Sequence, residues 1–399
     1  MTSQSGEYDH APADRSEHLP VVAKLLSDAF AGGEHVEEIT RKYLGDCHYD
    51  WGTSQFIWQG DELVHHWGVW DYPMRVGSIR LRTAGVGAVV TKEAHRKRGL
   101  MHRAAGASFD AMSANGYHLS VLRGRHYAKY GYVRGWNYVT YRIAPDEIEA
   151  AVDVPSYALL EPDEQDAINR LYNKAHRQLS GTAVRPTYPM LDADDMQVYG
   201  WRDGKGVLEG YVRAVPDGEH HALRCLEATG DAESCLAVLA DLMDQQGHAS
   251  LQLFTLHHDH PLGQAVRRRA CVIEDRYFKH SGWQVRMVNL HACLKTLTPE
   301  FEHRLKKSHL STWEGTFHLL GAGEQAALSI RQGQVRVADD SEEVHALQAG
   351  HALARFMIGS DDPREIIRQE GVACQGEGAE LADVLFPNLH PMLSHWDEF

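Results

Sequence analysis

The stretch from Gly87 to Met101, Gly-Ala-Val-Val-Thr-Lys-Glu-Ala-His-Arg-Lys-Arg-Gly-Leu-Met, constrains the fold of this chain most. Val89, Val90 and Thr91 are β-branched and predict a strand. A short polar loop follows, then three basic residues, Arg96, Lys97 and Arg98, then Gly99, then a helix. Met101, Ala105, Phe109 and Met112 recur along one face of that helix. The first turn of a helix has N–H groups with no partner, and the helix dipole puts partial positive charge there. A phosphate satisfies both, and Gly99 has no Cβ to keep it away. The stretch therefore reads as a pyrophosphate cradle. Asn115-Gly116 stops the helix. A strand at 118–122 follows, then a tyrosine-rich turn, His126-Tyr127-Ala128-Lys129-Tyr130-Gly131-Tyr132. Strand, cradle, helix, strand and turn in that order predict one α/β unit.

Other phosphate motifs are absent. There is no Gly-x-Gly-x-x-Gly of a dinucleotide fold and no Gly-Lys-Ser/Thr of a Walker loop. Gly204-Lys205-Gly206 lies in a polar hairpin, 202–206, and reads as a turn.

The chain has 399 residues, too many for one such unit, so two or three domains are expected. Its net charge of −15 argues against a nucleic-acid partner and permits a cationic substrate. No apolar run has the length of a membrane span. Residues 1–16 are polar, lack the apolar core of a secretory signal, and read as a disordered tail. The six cysteines, Cys47, Cys225, Cys235, Cys271, Cys293 and Cys374, form no Cys-x-x-Cys, which suggests reduced thiols and a cytoplasmic protein. His257-His258-Asp259-His260 has ligand chemistry, but adjacent residues rarely converge on one ion. It reads as a polar loop after a strand at 251–256, and no metal is expected.

Three domains are expected, in a mixed α+β architecture. The first, 17–146, has helices at 21–30 and 36–44 and strands at 55–59, 63–70, 79–82 and 85–91. The second, 147–288, repeats the order: a helix at 164–178, strands at 196–201 and 208–215 paired around Asp203-Gly204, a helix at 232–246 and the strand at 251–256. Its helix starts with Ala228-Thr229-Gly230-Asp231-Ala232-Glu233. That acidic start would repel a pyrophosphate, so this domain should lack a cofactor cradle. The third, 289–399, has strands at 315–320, 325–331 and 334–338 and helices at 344–356, 362–369 and 379–386. The chain closes with Phe386, Leu389, Met392, Leu393, Trp396 and Phe399. Termini are usually polar and frayed, so this apolar ending predicts a buried one.

Arg96-Lys97-Arg98-Gly99-Leu100-Met101 resembles the Arg/Gln-x-x-Gly-x-Gly/Ala motif of the GNAT superfamily of acyl-CoA-dependent N-acyltransferases, with Met101 in place of the last small residue. Two tandem GNAT-like domains, a third domain like a sterol carrier protein and an aromatic last residue are together similar to the enhanced-intracellular-survival (Eis) acetyltransferases. The resemblance implies acetyl-CoA as co-substrate, an amine acceptor such as an aminoglycoside, and a homo-hexamer. It implies Tyr127 as general acid and the C-terminal carboxylate of Phe399 as base. It places cofactor contacts at Val89, Val90, Thr91, Lys97, Arg98, Gly99, Leu100, Met101 and His102, with a further contact at Leu122 and Arg123. Asp397 and Glu398 read either as charges that help to hold a cationic substrate or as solvated charges. Two alternatives are a protein-lysine or polyamine acetyltransferase of the same fold and a non-enzymatic lipid-binding carrier. A pure carrier has no use for the cradle.

Overall fold

The computed structural model describes residues 8–45, 48–148, 152–187, 197–254, 256–278, 281–338, 344–369 and 371–398. Strand β1 (Asp9–His10) pairs with Trp58 and Ile57, so this part of the expected tail belongs to a sheet. Helix α1 (Arg15–Phe30) begins at Asp14, whose carboxylate accepts the Ser16 N–H at 2.8 Å, and it buries Val22, Ala23, Leu25 and Leu26. A short α2 (Val36–Ile39) follows. Strands β2 (Gln55–Gln59), β3 (Glu62–Val76) and β4 (Ile79–Thr91) form a meander. The strands expected at 79–82 and 85–91 are one, because Thr83 and Ala84 pair with Tyr72 and Asp71 without a break. Helix α3 (Leu100–Ala114) crosses over to β5 (Leu119–Arg123), which lies parallel to β4. A two-residue β6 (Val133–Arg134) ends this part of the chain.

The sheets do not divide where the sequence pattern does. Strand β7 (Tyr138–Ile143) leaves the first sheet and joins a second one. There it meets β8 (Tyr157–Leu159), α4 (Gln165–Ala175), β9 (Gln197–Arg202), β10 (Leu208–Asp217), β11 (Ala222–Thr229), α5 (Ala232–Gln246), β12 (Ser250–Phe254), α6 (Pro261–Arg267) and β13 (Val272–Arg276). Strand β14 (Trp283–Met287) then returns to the first sheet, between β5 and β6. The first sheet runs β1-β2-β3-β4-β5-β14-β6 and the second β13-β7-β12-β11-β10-β9-β8. β5 and β12 hold matching places, and each is flanked by a strand from the other half of the chain. This reciprocal exchange ties the two sheets together through backbone hydrogen bonds.

Helix α7 (Leu290–Lys306) leads to a third sheet built from β15 (Gly315–Gly321), β16 (Glu324–Arg331), β17 (Gln334–Ala338), β18 (His345–Gln348) and β19 (Ala373–Gln375). Short helices α8 (Leu353–Ile358), α9 (Pro363–Ile367) and α10 (Gly378–Leu385) complete it. The helix expected at 344–356 is largely wrong. His345–Gln348 is a strand, parallel to β15 and antiparallel to β19, and Gly350 turns the chain with φ +51° before α8. A short apolar run bounded by polar residues fits either element, and the two strand neighbours decide it here. One apolar core joins this sheet to the first: Leu290, Leu294, Leu297 and Phe301 of α7 pack with Leu26, Met74 and Leu81 on one side and Phe317, Leu328 and Phe386 on the other. Among the described residues no helix is long and apolar enough to cross a membrane, and no group of three or more His, Cys, Asp or Glu residues is placed to hold a metal.

Candidate active site

Strands β4 and β5 pair only from Thr83–Leu119 to Val86–Leu122. Beyond Val86, β4 continues to Thr91 with β3 on one side and no strand on the other. A parallel pair that parts in this way leaves backbone N–H and C=O groups facing a wedge-shaped opening. Those groups need a partner. An irregularity in the β3–β4 register falls at the same place, between His66 and Gly68, and Ala88 there has φ +48°. Bulges of this kind re-aim a strand next to a site.

Val89, Leu100, Met101 and Tyr127 meet at this opening in one apolar cluster with Trp67, Ala104, Phe109 and Tyr130. Val90 does not join them: its side chain packs on the opposite face, so only its backbone can serve the opening. Thr91 is partly committed, because its hydroxyl bonds to His65 Nδ1 at 2.7 Å.

The glycine and the helix start stand where the sequence predicts them. Gly99 is the N-cap of α3 with φ +77°, and it supplies no side chain to the helix N–H groups. A Cβ built on it would meet nothing within 4 Å, so the space in front is open. Lys97 also has positive φ, +61°. Arg96, Lys97, Arg98, His102 and Arg103 are exposed around the helix start, and its first turn holds no acidic residue. Unpaired N–H groups, a positive helix end, an open glycine and exposed cations fit the pyrophosphate of a coenzyme A thioester. His102 lies stacked on Tyr130 with ring centroids 5.9 Å apart.

Tyr127 sits in the turn after β5. Gly124, at φ +155°, makes room for it: a Cβ on Gly124 would lie 2.6 Å from Tyr127 Cε2. The Tyr127 ring meets Trp67 edge-on at 6.0 Å and Tyr132 at 6.1 Å. Burial, helped by neighbouring Tyr130, pushes the phenol up to about 12, so it keeps its proton at neutral pH.

Phe399 lies outside the described residues. The segment that leads to it does not. Asp397 is fully buried: Arg185 Nε donates to its two oxygens at 3.0 and 3.2 Å, Arg185 Nη2 donates at 3.0 Å, and the Thr187 hydroxyl donates at 2.5 Å. The Tyr72 hydroxyl of the first sheet donates to the Asp397 carbonyl. Arg185 also grips Glu227 of β11 with a two-pronged contact at 2.9 and 2.5 Å. Glu227 accepts in addition from Tyr211 at 2.6 Å and from Ser394 of the terminal segment at 2.7 Å. Burial opposes the charge on Glu227, but Arg185 and Arg213 outweigh it and hold the carboxyl well below its usual range. Glu398 pairs with Arg123 at 3.0 Å, the last residue of β5 and the neighbour of Gly124.

Asp397 is thus buried and committed to Arg185, so it neither holds an exogenous cation nor is solvated, contrary to both readings of the sequence. Arg123 holds Glu398 instead of standing free as a cofactor contact. The sequence did carry a signal for this cluster: Arg213 and Glu227 are charges inside otherwise apolar strands, and such charges are paired when buried. The His257–His260 stretch is likewise more than a polar loop. His260 caps α6 by accepting the Leu262 N–H at 3.1 Å, and both His257 and His260 are buried.

Residues 13–139 match the acetyltransferase (GNAT) domain family. No curated protein sequence matches the chain. Among solved structures, a GCN5-related N-acetyltransferase from Anabaena variabilis is 15% identical with a TM-score of 0.75, over 97% of this chain and 99% of that one. A GCN5-related N-acetyltransferase from Kribbella flavida is 16% identical with a TM-score of 0.73, over the whole of both chains. Eis1 from Mycobacterium abscessus is 18% identical with a TM-score of 0.69, over 97% of this chain and 99% of that one. At these identities the likeness is one of fold, and the activity rests on the domain match and on the cradle. With an acetyltransferase (GNAT) domain over residues 13–139, the chain is an N-acetyltransferase.

Proposed function

We propose that this enzyme transfers an acetyl group from acetyl-CoA to a primary amine of a cationic small molecule, of which aminoglycosides are one class. The wedge between β4 and β5, with Gly99 open at one end and Tyr127 at the other, is the observation that carries this reading. Bound acetyl-CoA supplies an activated acetyl thioester. Leu100, Met101 and His102 would present their backbone N–H groups to the pyrophosphate, and Lys97 and Arg98 would add charge beside it. The N–H groups along Val89–Thr91 would hold the acetyl carbonyl and steady the charge that develops on its oxygen.

Tyr127 Oη carries the proton that the leaving sulfur needs. With the phenol raised to about 12, it stays protonated throughout the working range. The opposite proton, from the amine, needs a base. In this reading the base is the α-carboxylate of Phe399. Such a group has a pKa of about 3.3–3.7 in water, and desolvation would raise it toward a useful value. Support comes from Glu398, which Arg123 holds one residue from Gly124 and its packed Tyr127 ring. A charge of −15 permits a cationic acceptor. The hexamer rests on the Eis resemblance, and light scattering of the native protein tests it.

A thiol-release assay over aminoglycosides, polyamines and lysine peptides tests the function and ranks the acceptors. Tyr127→Phe should lower kcat by roughly 10²–10⁴-fold and leave the KM for acetyl-CoA nearly unchanged. Near-normal turnover in that variant would return Tyr127 to a packing role.

A further inference from the structure

We infer that His66 is a positioning residue for the acetyl transfer: its ring holds the Ala88 carbonyl and so turns the next backbone N–H, that of Val89, into the open wedge. The inference rests on the reading that N–H groups along Val89–Thr91 hold the acetyl carbonyl, and it names the side chain that aims one of them.

His66 pairs with Val90 and Gly68 with Gly87, so Ala88 and Val89 together stand opposite the single residue Trp67. This bulge bends β4 just beyond the point where β5 has parted from it. Ala88 takes φ +48°, which a residue with a Cβ adopts only where its surroundings impose it. The group that imposes it is His66. Its Nδ1 lies 2.8 Å from the Ala88 carbonyl oxygen, and its Nε2 lies 2.6 Å from the Tyr49 hydroxyl. A carbonyl can only accept, so Nδ1 carries the proton and donates it. Nε2 then accepts from the Tyr49 O–H. Burial lowers the ring to about 4, so this neutral tautomer persists at neutral pH.

Both nitrogens of the ring are thus fixed. Tyr49 is itself buried and bridges to Trp70 of β3, where Asp50 N–H donates to the Val69 carbonyl and Asp71 N–H to the His48 carbonyl, each at 2.8 Å. Phe56 packs on the ring with centroids 5.5 Å apart. Gly68 leaves the space for it: a Cβ there would lie 2.8 Å from His66 Cε1 and 2.9 Å from the Gly87 oxygen.

Peptide planarity sets the direction of the next N–H. Across a trans peptide the C=O and the following N–H point opposite ways. Ala88 packs with Tyr49 and Phe56 on one face of the sheet, and its carbonyl is held there by His66. The Val89 N–H therefore points toward the other face, where Val89, Leu100 and Tyr127 border the opening. A regular β3–β4 pair would need no histidine for the Ala88 carbonyl, since the ladder satisfies such groups. Here a buried histidine clamped by a tyrosine takes over, and the result is a donor fixed before charge develops on the acetyl oxygen.

The test compares four full-length proteins: wild type, His66→Asn, His66→Gln, and His66→Gln combined with Ala88→Gly. An asparagine amide nitrogen stands where Nδ1 stands and keeps the bond to Ala88. A glutamine amide stands where Nε2 stands and keeps only the bond to Tyr49. Each protein is measured for kcat, for acetyl-CoA affinity and folding by thermal shift, and for the infrared stretch of bound acetyl-CoA isotope-labelled at its acetyl carbonyl, with no amine present. A hydrogen bond to that carbonyl lowers its frequency. Wild type and His66→Asn should both show the lowered frequency, with kcat of the variant within about fivefold of wild type. His66→Gln should return the frequency toward that of free acetyl-CoA and lose about 100-fold in kcat. Acetyl-CoA affinity should stay within about threefold in all four. Glycine adopts φ +48° without a tether, so the double variant should recover about threefold or more of the lost kcat. A packing defect would lower both amides alike and would not respond to glycine. If His66→Gln keeps the lowered frequency and wild-type kcat, or if the two amides fall together, His66 does not aim the N–H, and the reading of the acetyl carbonyl stands. If wild type itself shows no lowered frequency, that reading fails and the role of His66 goes with it. Should His66→Gln not fold, Tyr49→Phe takes its place: loss of one nitrogen's partner should partly reverse the frequency and cost about threefold in kcat, and no change in either overturns the inference.

Discussion

The molecule contains the same wedge twice, once open and once filled. In the first sheet, β4 and β5 part after Val86 and Leu122. In the second, β11 and β12 part after Cys225 and Leu253. Each lies at the start of a helix that crosses between the two strands. The helix starts differ. Gly99 faces open space, whereas a Cβ on Gly230 would lie 2.8 Å from Gly210 Cα and 3.0 Å from Trp201 Cζ2. Basic side chains surround the first helix start. The second is capped by its own carboxylate: Asp231 accepts the Ser234 N–H at 2.9 Å and the Ser234 hydroxyl at 3.0 Å. The groups beyond the parting of the second pair are taken up internally. His260 hydrogen-bonds the Ala228 carbonyl, Ser394 of the terminal segment donates to Glu227, and Met392 and Ser394 line a small cavity there with Ala228 and Leu253. One wedge is thus available to a ligand, and the other receives the chain's own end. A few side chains at the helix start and one charged residue on the strand separate the two outcomes.

Acid should strain both wedges, and this is the largest effect expected. His65 and His66 stand on β3 beside the first, and His257 and His260 stand beside the second. Burial lowers all four, to about 3 for His65 and about 4 for the others. A histidine whose folded value lies below its unfolded value of about 6.5 takes up protons on unfolding. Its contribution to stability is complete above that pH and is lost as pH falls from about 6.5 toward 4. Each ring contributes on the order of 3–5 kcal/mol at full effect. The unfolding midpoint should therefore drop steeply across this window. Hydrogen exchange followed separately for β4 and β11 sharpens the comparison: loosening confined to one of them would show that the two wedges respond differently to acid.

Glu227→Ala should come next. It leaves Arg185 and Arg213 buried with one carboxylate between them, at a cost of about 3–5 kcal/mol. The folded fraction should still bind acetyl-CoA, since the first wedge is untouched. Loss of acetyl-CoA binding at full folding would mean that the wedges are coupled.

A pair of glycine changes tests the contrast directly. Gly230→Ala forces a methyl into Gly210 and Trp201, so it should destabilise by about 1–3 kcal/mol and leave acetyl-CoA affinity alone. The Cβ that Gly99→Val adds meets no protein atom within 4 Å, although the positive φ there strains a β-branched residue. The variant should weaken acetyl-CoA by about tenfold, roughly 1.4 kcal/mol, with a smaller loss of stability. The reverse pattern would break the assignment of open and filled wedges.

Much of this was legible where the signal is local. The strand at Gln55–Gln59 and the helix at Ala232–Gln246 stand where the sequence predicts them, because Asp231 and Gly247 punctuate that helix. Gly99 as the start of the helix Leu100–Ala114 was legible for the same reason: its signal sits in consecutive residues. Four features were not fully legible. Strand β11 was missed because Arg224 and Glu227 interrupt its apolar pattern, and those charges make sense only beside partners far away in sequence. Helix α7 was missed because Pro299 falls inside it. The exchange of β7 and β14 is a choice between two sheets of similar plan, which alternation along one strand does not record. The charges at Arg213 and Glu227 hint at the Arg185 cluster, but it combines residues 172, 185, 227 and 397, so only the folded chain shows which partners they take.

The smallest effect belongs to the second helix start. Asp231→Ala removes a cap and should cost about 1 kcal/mol of stability. It also removes the carboxylate that would repel a phosphate from that helix. If charge alone kept acetyl-CoA out of the second wedge, this variant would begin to bind a second molecule. The structure argues otherwise, because Gly230 is packed against Gly210 and Ser394 of the terminal segment is bonded to Glu227 just beyond Cys225. Titration calorimetry should therefore give one acetyl-CoA per chain for the wild type and for Asp231→Ala alike. A second binding event in the variant would show that a single carboxylate, and not the packed tail, distinguishes the filled wedge from the open one.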